Sequence, residues 1–413
     1  MRTKVIKALA LGSSLLALPI SASAYELELL RKIDESLLLQ NETGEYSFSL
    51  KGLLDAEYYY SQRPQPGLLF QNDNWFFNPR LSLFGEVHLT KYVMLFTQFR
   101  ADRGFDPGVL DRDARFDEYF LRVSPLGDQR LNLQFGKFAT VFGSWVNRHD
   151  SWHNPFITAP LAYERVVNAN DRAVIPGSGA FGTLKNTPDQ KRSWSPQIWG
   201  PSYASGGSIF GRIEQWEYAL EIKNAGLSSR PAVWDARQVD WVNPTFTGRL
   251  GYHPNASWSY GVSASDGAFL LPVAEKSPGF PAGKKWGDFH QSTVGVDAAY
   301  AHGHWEVFSE AIASRFEIPN ASNADMLSWF LETKYKLSPQ WFVAARWNQQ
   351  FFADVPTPTG NQPWDDDAWK IDLAVGWRPD KRIQMKLQYS YVEQSGAFQQ
   401  GQNLLAAQVT IKF

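Results

Sequence analysis

Apolar and polar residues alternate one for one over long stretches of this chain. In the closing segment, Leu405, Ala407, Val409, Ile411 and Phe413 fall on one side of an extended strand, and Ala406, Gln408, Thr410 and Lys412 on the other. Trp369, Ile371, Leu373, Val375 and Trp377 stand opposite Lys370, Asp372, Ala374 and Gly376. Ile383, Met385, Leu387, Tyr389 and Tyr391 alternate likewise with Gln384, Lys386, Gln388 and Ser390. A period of two marks strands with one apolar and one polar face. It predicts sixteen strands, near residues 46–60, 75–89, 92–102, 115–124, 129–140, 206–213, 216–224, 245–252, 257–266, 291–302, 304–314, 326–337, 340–352, 368–379, 382–393 and 402–413. Tight turns, as at Gly127-Asp128, Glu214-Gln215 and Pro379-Asp380, alternate with long polar or Gly/Pro-rich connections. Charged faces opposite apolar ones, an even strand number and this loop asymmetry predict an all-β fold, a transmembrane antiparallel up-and-down β-barrel of about sixteen strands. That size class leaves an aqueous channel.

Aromatic positions add a second line of argument. Trp216, Trp258, Trp305 and Trp341 each open a strand just after a tight turn, and Trp377 closes one just before a turn. They predict a girdle at one membrane interface, with Tyr58, Tyr60, Trp75, Phe351 and Tyr391 at the other. The chain holds 17 Trp and no Cys, so no disulfide holds it. Residues 1–24 read as a signal peptide: Arg2, Lys4 and Lys7 precede a short apolar run, and Ala22 and Ala24 offer a small-residue cleavage site. Cleavage takes the basic count from 40 to 37 against 42 acids, a net charge of about −5, which argues against a nucleic-acid partner. Residues 25–42 follow as a short amphipathic helix, with Leu27, Leu30, Ile33 and Leu37 on one stripe. Residues 43–413 form the barrel, interrupted by a long loop at 141–205.

That loop follows the fifth strand and shows no clear alternation. A loop this long inside a compact fold is expected to be functional, and folding into the lumen gives it a place. Trp145, Trp152, Phe156, Leu161 and Tyr163 supply anchors, and Arg148, His149, Asp150, His153, Glu164 and Arg165 supply charges for a pore constriction. His149 and His153 stand four apart with Asp150 beside the first, a spacing shared with the H-E-x-x-H zinc helix. Asp150 stands where that helix carries Glu, no motif supplies a third ligand, and Pro155 turns Asn154 away from helix. The stretch is therefore expected to be a constriction element with no metal and no cofactor, its histidines titrating near pH ~6.5.

The strand number, the long loop after strand five and the final Phe413 resemble Gram-negative outer-membrane porins. Phe135–Val146, FGKFATVFGSWV, and Ala162–Asn168, AYERVVN, further resemble the phosphate-selective porin O/P group. Gly136, Phe138, Phe142, Gly143, Glu164 and Arg165 match its pattern over about 30 residues, while Val141 replaces the usual proline. The resemblance implies that Phe413 is an assembly signal read by the barrel-assembly machinery, and that the barrel sits in outer-membrane lipid, with a homo-oligomer, a trimer, as a further expectation. Placing apolar residues outward turns Lys51, Asp55, Glu57, Arg80, Glu86, Arg100, Glu118, Arg122, Arg249 and Arg346 into the lumen. Cations and anions there nearly balance, without the basic ladder of a dedicated phosphate channel. The expected function is a water-filled, weakly selective pore for passive diffusion of small hydrophilic solutes or ions. An anion- or phosphate-selective porin and the sheath of a porin–cytochrome electron conduit are the other readings. The chain has no C-x-x-C-H haem motif of its own and no G-x-S-x-G nucleophile motif, so an enzyme is not expected.

Overall fold

The computed structural model describes residues 37–41, 46–62, 67–68, 73–104, 113–185, 194–236, 241–396 and 401–413. The signal peptide and residues 25–36 of the predicted helix lie outside them. The barrel strands are β1 (Ser47–Ser61), β2 (Trp75–Thr90), β3 (Val93–Asp102), β4 (Asp113–Val123), β5 (Asn132–Phe138), β6 (Ala204–Ile213), β7 (Trp216–Lys223) and β8 (Thr245–Asn255). They continue as β9 (Trp258–Ala268), β10 (His290–His302), β11 (Trp305–Phe316), β12 (Ala324–Lys336), β13 (Trp341–Phe352), β14 (Ala368–Asp380), β15 (Ile383–Gln394) and β16 (Gln402–Lys412). Each pairs antiparallel with its sequence neighbours, β5 meets β6 across the long loop, and β16 closes on β1 from Leu53↔Lys412 to Ser61↔Leu404.

Closure leaves the first residues of β1 without a partner on the β16 side. Leu38–Gln40 fills that edge, pairing Leu38↔Ser49 and Gln40↔Ser47. The tail of the predicted N-terminal helix is thus extended, because an unpaired row of backbone groups offers it a ladder. The last residue completes the seam: Gly52 N–H donates to the Phe413 carbonyl (2.7 Å) and Phe413 N–H to the Gly52 carbonyl (3.0 Å). The Phe413 ring lies over Gly52 so closely that any Cβ there would strike it.

The outer wall follows the period-two reading. Leu54, Tyr58, Phe246, Val262, Val294, Leu331 and Leu373 point outward and are exposed, while Asp55, Glu57, Glu332 and Asp372 point inward and are buried. Trp216, Trp258, Trp305 and Trp341 are exposed at the short-turn end, where Trp341 stacks on Trp377 and Trp258 leans on Tyr300. At the long-loop end Tyr60 packs on Trp75 and Tyr391 on Trp369. The apolar core is inside the barrel. Phe142, Trp145, Val146, Ala162 and Tyr163 of the long loop pack with Ile312 of β11 and Phe330 of β12. Nearer the long-loop end, Val167, Ala169 and Phe181 pack with Phe316, Met326, Phe352 and Trp364.

One strand breaks the alternation. In β4 the register slips between Gln98↔Glu118 and Phe99↔Phe116, leaving Asp117 in a bulge. A bulge flips the faces on its two sides. Arg115 and Asp117 therefore face inward above it, and Glu118 and Arg122 below it, where Arg122 bonds Gln134.

Candidate pore constriction

The loop between β5 and β6 fills much of the lumen. It leaves β5 through Val141, whose N–H donates to Glu221 (3.2 Å), a bond that a proline lacks. Gly143 follows at φ +72° and donates to the Ser263 hydroxyl (3.1 Å); a side chain there would strike the Tyr163 hydroxyl. Glu310 of β11 then takes the N–H groups of Ser144 and Trp145 (both 2.6 Å) and the Tyr163 hydroxyl (2.6 Å). Arg148 bonds Glu332 of β12 and lies 3.9 Å over the Phe308 ring.

The chain descends to the short-turn end of the barrel. There Trp152 lies between the cations of Arg378 and Lys412, at 4.9 and 5.4 Å from its ring centre. The return arm is held by its own backbone oxygens. Lys386 of β15 donates to the carbonyls of Ser151 (2.9 Å), Asn154 (3.0 Å) and Phe156 (3.1 Å). Arg346 of β13 donates to Thr158 and Ala159, and bridges Asp372 at 2.9 Å. Leu161–Glu164 makes one helical turn, and Arg165, which is buried, reaches Gln350 and the Asp366 carbonyl.

The loop is thereby pinned to the β11–β15 wall. Between it and β1–β3 lies a cavity of about 110 Å³ lined by Tyr59, Arg80, Arg100, Asp102, Trp145 and Tyr163, among others. Of the six predicted constriction residues, His149, Asp150 and Glu164 line it. Arg148, His153 and Arg165 do not. Arg148 and Arg165 are turned to the far wall by carboxylate and amide partners, and His153 is exposed at the loop's lowest point. A second cavity of about 570 Å³ lies toward the short turns, lined by Lys51, Glu86, His88, Lys381, Arg382 and Lys412.

Most of the predicted lumen residues are engaged with one another or with neighbouring polar groups. Arg80 bridges Asp55 (3.0 Å) and Glu57 (2.5 Å), and Glu57 also takes bonds from Tyr59, Asn78 and Gln408. Arg100 bridges Asp117 at 3.0 Å, and Arg115 bridges Asp102 and Asp117 at 2.8 Å. Glu86 bonds His88, Glu118 takes the Ala139 N–H, and Arg249 holds Asp297. Reading the sequence missed Arg115, Asp117 and Asp102, because strict alternation hides the bulge. It also missed that Lys386, Arg346 and Glu310 act on backbone atoms of the loop, for which side-chain patterns carry no signal.

The two histidines of the long loop point apart. The Val146 carbonyl can only accept, so His149 Nδ1 carries the proton (2.6 Å) and Nε2 accepts the Tyr203 hydroxyl (2.6 Å). Burial, with Arg100 nearby, pushes the His149 pKa down to about 4, so it does not titrate near pH 6.5 as the sequence suggested. Asp150 takes the N–H groups of Trp152 and His153 and the His153 ring nitrogen (2.6 Å). Burial alone would raise its pKa, but the His153 bonds hold it below the ordinary carboxylate value. Burial pushes Glu164 up, opposed by Lys370 and by the Ala159 N–H that Glu164 accepts at 2.8 Å. Among the described residues no three His, Asp or Glu side chains gather as a metal site.

No family model and no curated protein sequence matches this chain. Solved structures do. The anion-selective porin from Comamonas acidovorans is 11% identical, with a TM-score of 0.58 over 89% of this chain and 100% of that one. OmpF of Salmonella typhi, in complex with daunomycin, is 8% identical, with a TM-score of 0.56 over 91% of this chain and 100% of its own. The outer membrane channel DcaP of Acinetobacter baumannii is 10% identical, with a TM-score of 0.55 over 91% and 99%. The fold is that of an outer-membrane porin. In this porin fold the short turns correspond to the periplasmic end and the long loops to the external end.

Proposed function

We propose that the protein is a porin of the Gram-negative outer membrane, a water-filled, weakly selective pore through which small hydrophilic solutes or ions diffuse passively. The observation that carries this reading is the closed sixteen-strand barrel with charged residues on its inner face and a cavity left between the inward loop and β1–β3. Selectivity in such pores follows wall charge and width, and the cavity beside the loop has a volume of about 110 Å³. The pore carries out no chemistry in this reading. A cytochrome sheath fits less well, because the loop occupies the space a haem protein would need.

The exposed apolar wall and both aromatic girdles fit a lipid-facing surface, and Phe413, set into the β1–β16 seam, is offered as the assembly signal. One comparison structure is the trimer form of OmpT from Vibrio cholerae; a homotrimer is proposed here by analogy. Purified, folded protein added to planar bilayers is expected to give discrete, ohmic conductance steps. A folded preparation that gives none overturns the pore.

A further inference from the structure

Alternation fixes which face of a strand meets lipid, but a slip of two residues against a neighbour leaves every face as it was. At the β1–β16 seam such a slip would still set apolar residues outward against apolar residues. Inward, Thr410 now donates to Asp55 and Gln408 to Glu57. Moving Phe413 from Gly52 to Leu54 would set Lys412 against Asp55 and Thr410 against Glu57, an equally well-partnered wall. Neither face excludes that slip. Gly52, the single glycine of β1, does: the Phe413 ring lies over it, and the two residues exchange both backbone hydrogen bonds. An aromatic ring seated on a cross-strand glycine pins register, and the same seat recurs where Phe342 of β13 lies over Gly376 of β14. The opposite slip would carry Phe413 to Leu50. That edge is taken: the Leu50 N–H donates to the Leu37 carbonyl (3.0 Å), and Leu38–Gln40 pairs with Ser47–Ser49. Leu37–Gln40 thus continues the line of β16 beyond Phe413.

We infer that Gly52 and Leu37–Gln40 set the register in which this barrel closes, and with it the bore of the pore. For a given number of strands, the stagger at closure and the strand tilt are tied to the barrel's diameter. Gly52 favours one register by seating the terminal ring. Leu37–Gln40 blocks the slip to one side by filling the edge that β16 would need. Gly52 shares the outward face of β1 with Leu54 and Tyr58, so replacing it leaves the lumen lining as it is. A change of conductance there comes through the shape of the barrel. The statement about bore rests on the pore reading; the statement about register does not.

The test reads the register by thiol cross-linking, in a chain with no cysteine of its own. Ala56→Cys is combined with Val409→Cys, at its present partner, or with Ile411→Cys or Ala407→Cys, at its partners after a slip of two in either direction. The protein is folded from urea into detergent micelles and treated with a short thiol-specific cross-linker. With Gly52 in place, the Val409 pair is expected to link several-fold more than the other two. Gly52→Leu is expected to lower that yield several-fold and raise the Ile411 yield, with a second conductance level in planar bilayers. Deleting residues 25–41 is expected to raise the Ala407 yield instead. Gly52→Phe with Phe413→Gly seats the ring from the opposite strand and is expected to restore the first pattern; it decides the matter if Gly52→Leu does not fold. An unchanged pattern in Gly52→Leu, or an exchanged pair that fails to close in the native register, overturns the role of Gly52. An unchanged pattern or no folded barrel after the deletion overturns that of Leu37–Gln40. Shifted cross-links without conductance steps in any variant overturn the pore and its bore, and leave the register assignment standing.

Discussion

The two walls of the lumen are built from the same residue types and use them differently. Along β1–β4, Asp55, Glu57, Arg80, Arg100, Asp102, Arg115 and Asp117 bind one another, leaving a self-contained surface beside the passage. Along β11–β15, Glu310, Glu332, Arg346, Lys370 and Lys386 reach across to the loop, several of them onto its backbone. Pairing within a wall stiffens it; bonding to loop carbonyls and N–H groups fixes where the pore can be. A buried charge needs partners in either case, and in this barrel the choice of partner decides which half is open.

The sharpest way to break that contrast is to remove an anchor. Lys386→Met is expected to leave the carbonyls of Ser151, Asn154 and Phe156 without their donor and to cost roughly 1–3 kcal/mol. Single-channel conductance should rise, and amide hydrogen exchange should quicken across residues 150–158. A variant with wild-type conductance and exchange would show that the loop is held by packing alone.

Acid probes the loop itself more gently. The folded protein holds His149 neutral down to about pH 4, whereas an unfolded chain takes up the proton near pH ~6.5. Stability from this group is complete above that unfolded value. It falls by about 1.4 kcal/mol per pH unit on acidification and levels off below about pH 4, on the order of 3 kcal/mol in all. Thermal unfolding followed between pH 7 and pH 4 in detergent should show this loss, and His149→Gln should flatten the slope over that interval. An equal slope in both proteins would place the acid sensitivity elsewhere.

Much of the fold was legible because a barrel wall forces strict alternation: every face that must meet lipid has to be apolar, as at Leu405, Ala407 and Val409. Departures arose where that constraint lapses. Asp117 sits in a bulge, and a one-residue slip reverses the pattern above it. Leu38–Gln40 reads as helix by its leucines but is extended, because an open edge of β1 outweighs a weak local preference. In the loop, composition indicated burial, and His149, Asp150 and Glu164 border one cavity. The path was not legible, since it is set by contacts such as Lys386 with Ser151, more than two hundred positions apart. The zinc-like spacing of His149 and His153 reports neither a helix nor a shared face, only two ends of the turn that carries the loop to its lowest point.

The smallest test compares one hydrogen bond on each side of the passage. Tyr203→Phe removes the donor to His149 Nε2, and Asn78→Ala removes a donor to Glu57. Each is expected to cost about 1 kcal/mol, so global stability will not tell them apart. Exchange at the amides of residues 146–150 should. If the loop depends on its own anchors and the β1–β4 wall on itself, Tyr203→Phe quickens exchange there and Asn78→Ala leaves it unchanged, because Glu57 keeps Arg80, Tyr59 and Gln408. Equal acceleration by both would mean that the walls are coupled through the passage and that the division between a pinned half and an open half does not hold.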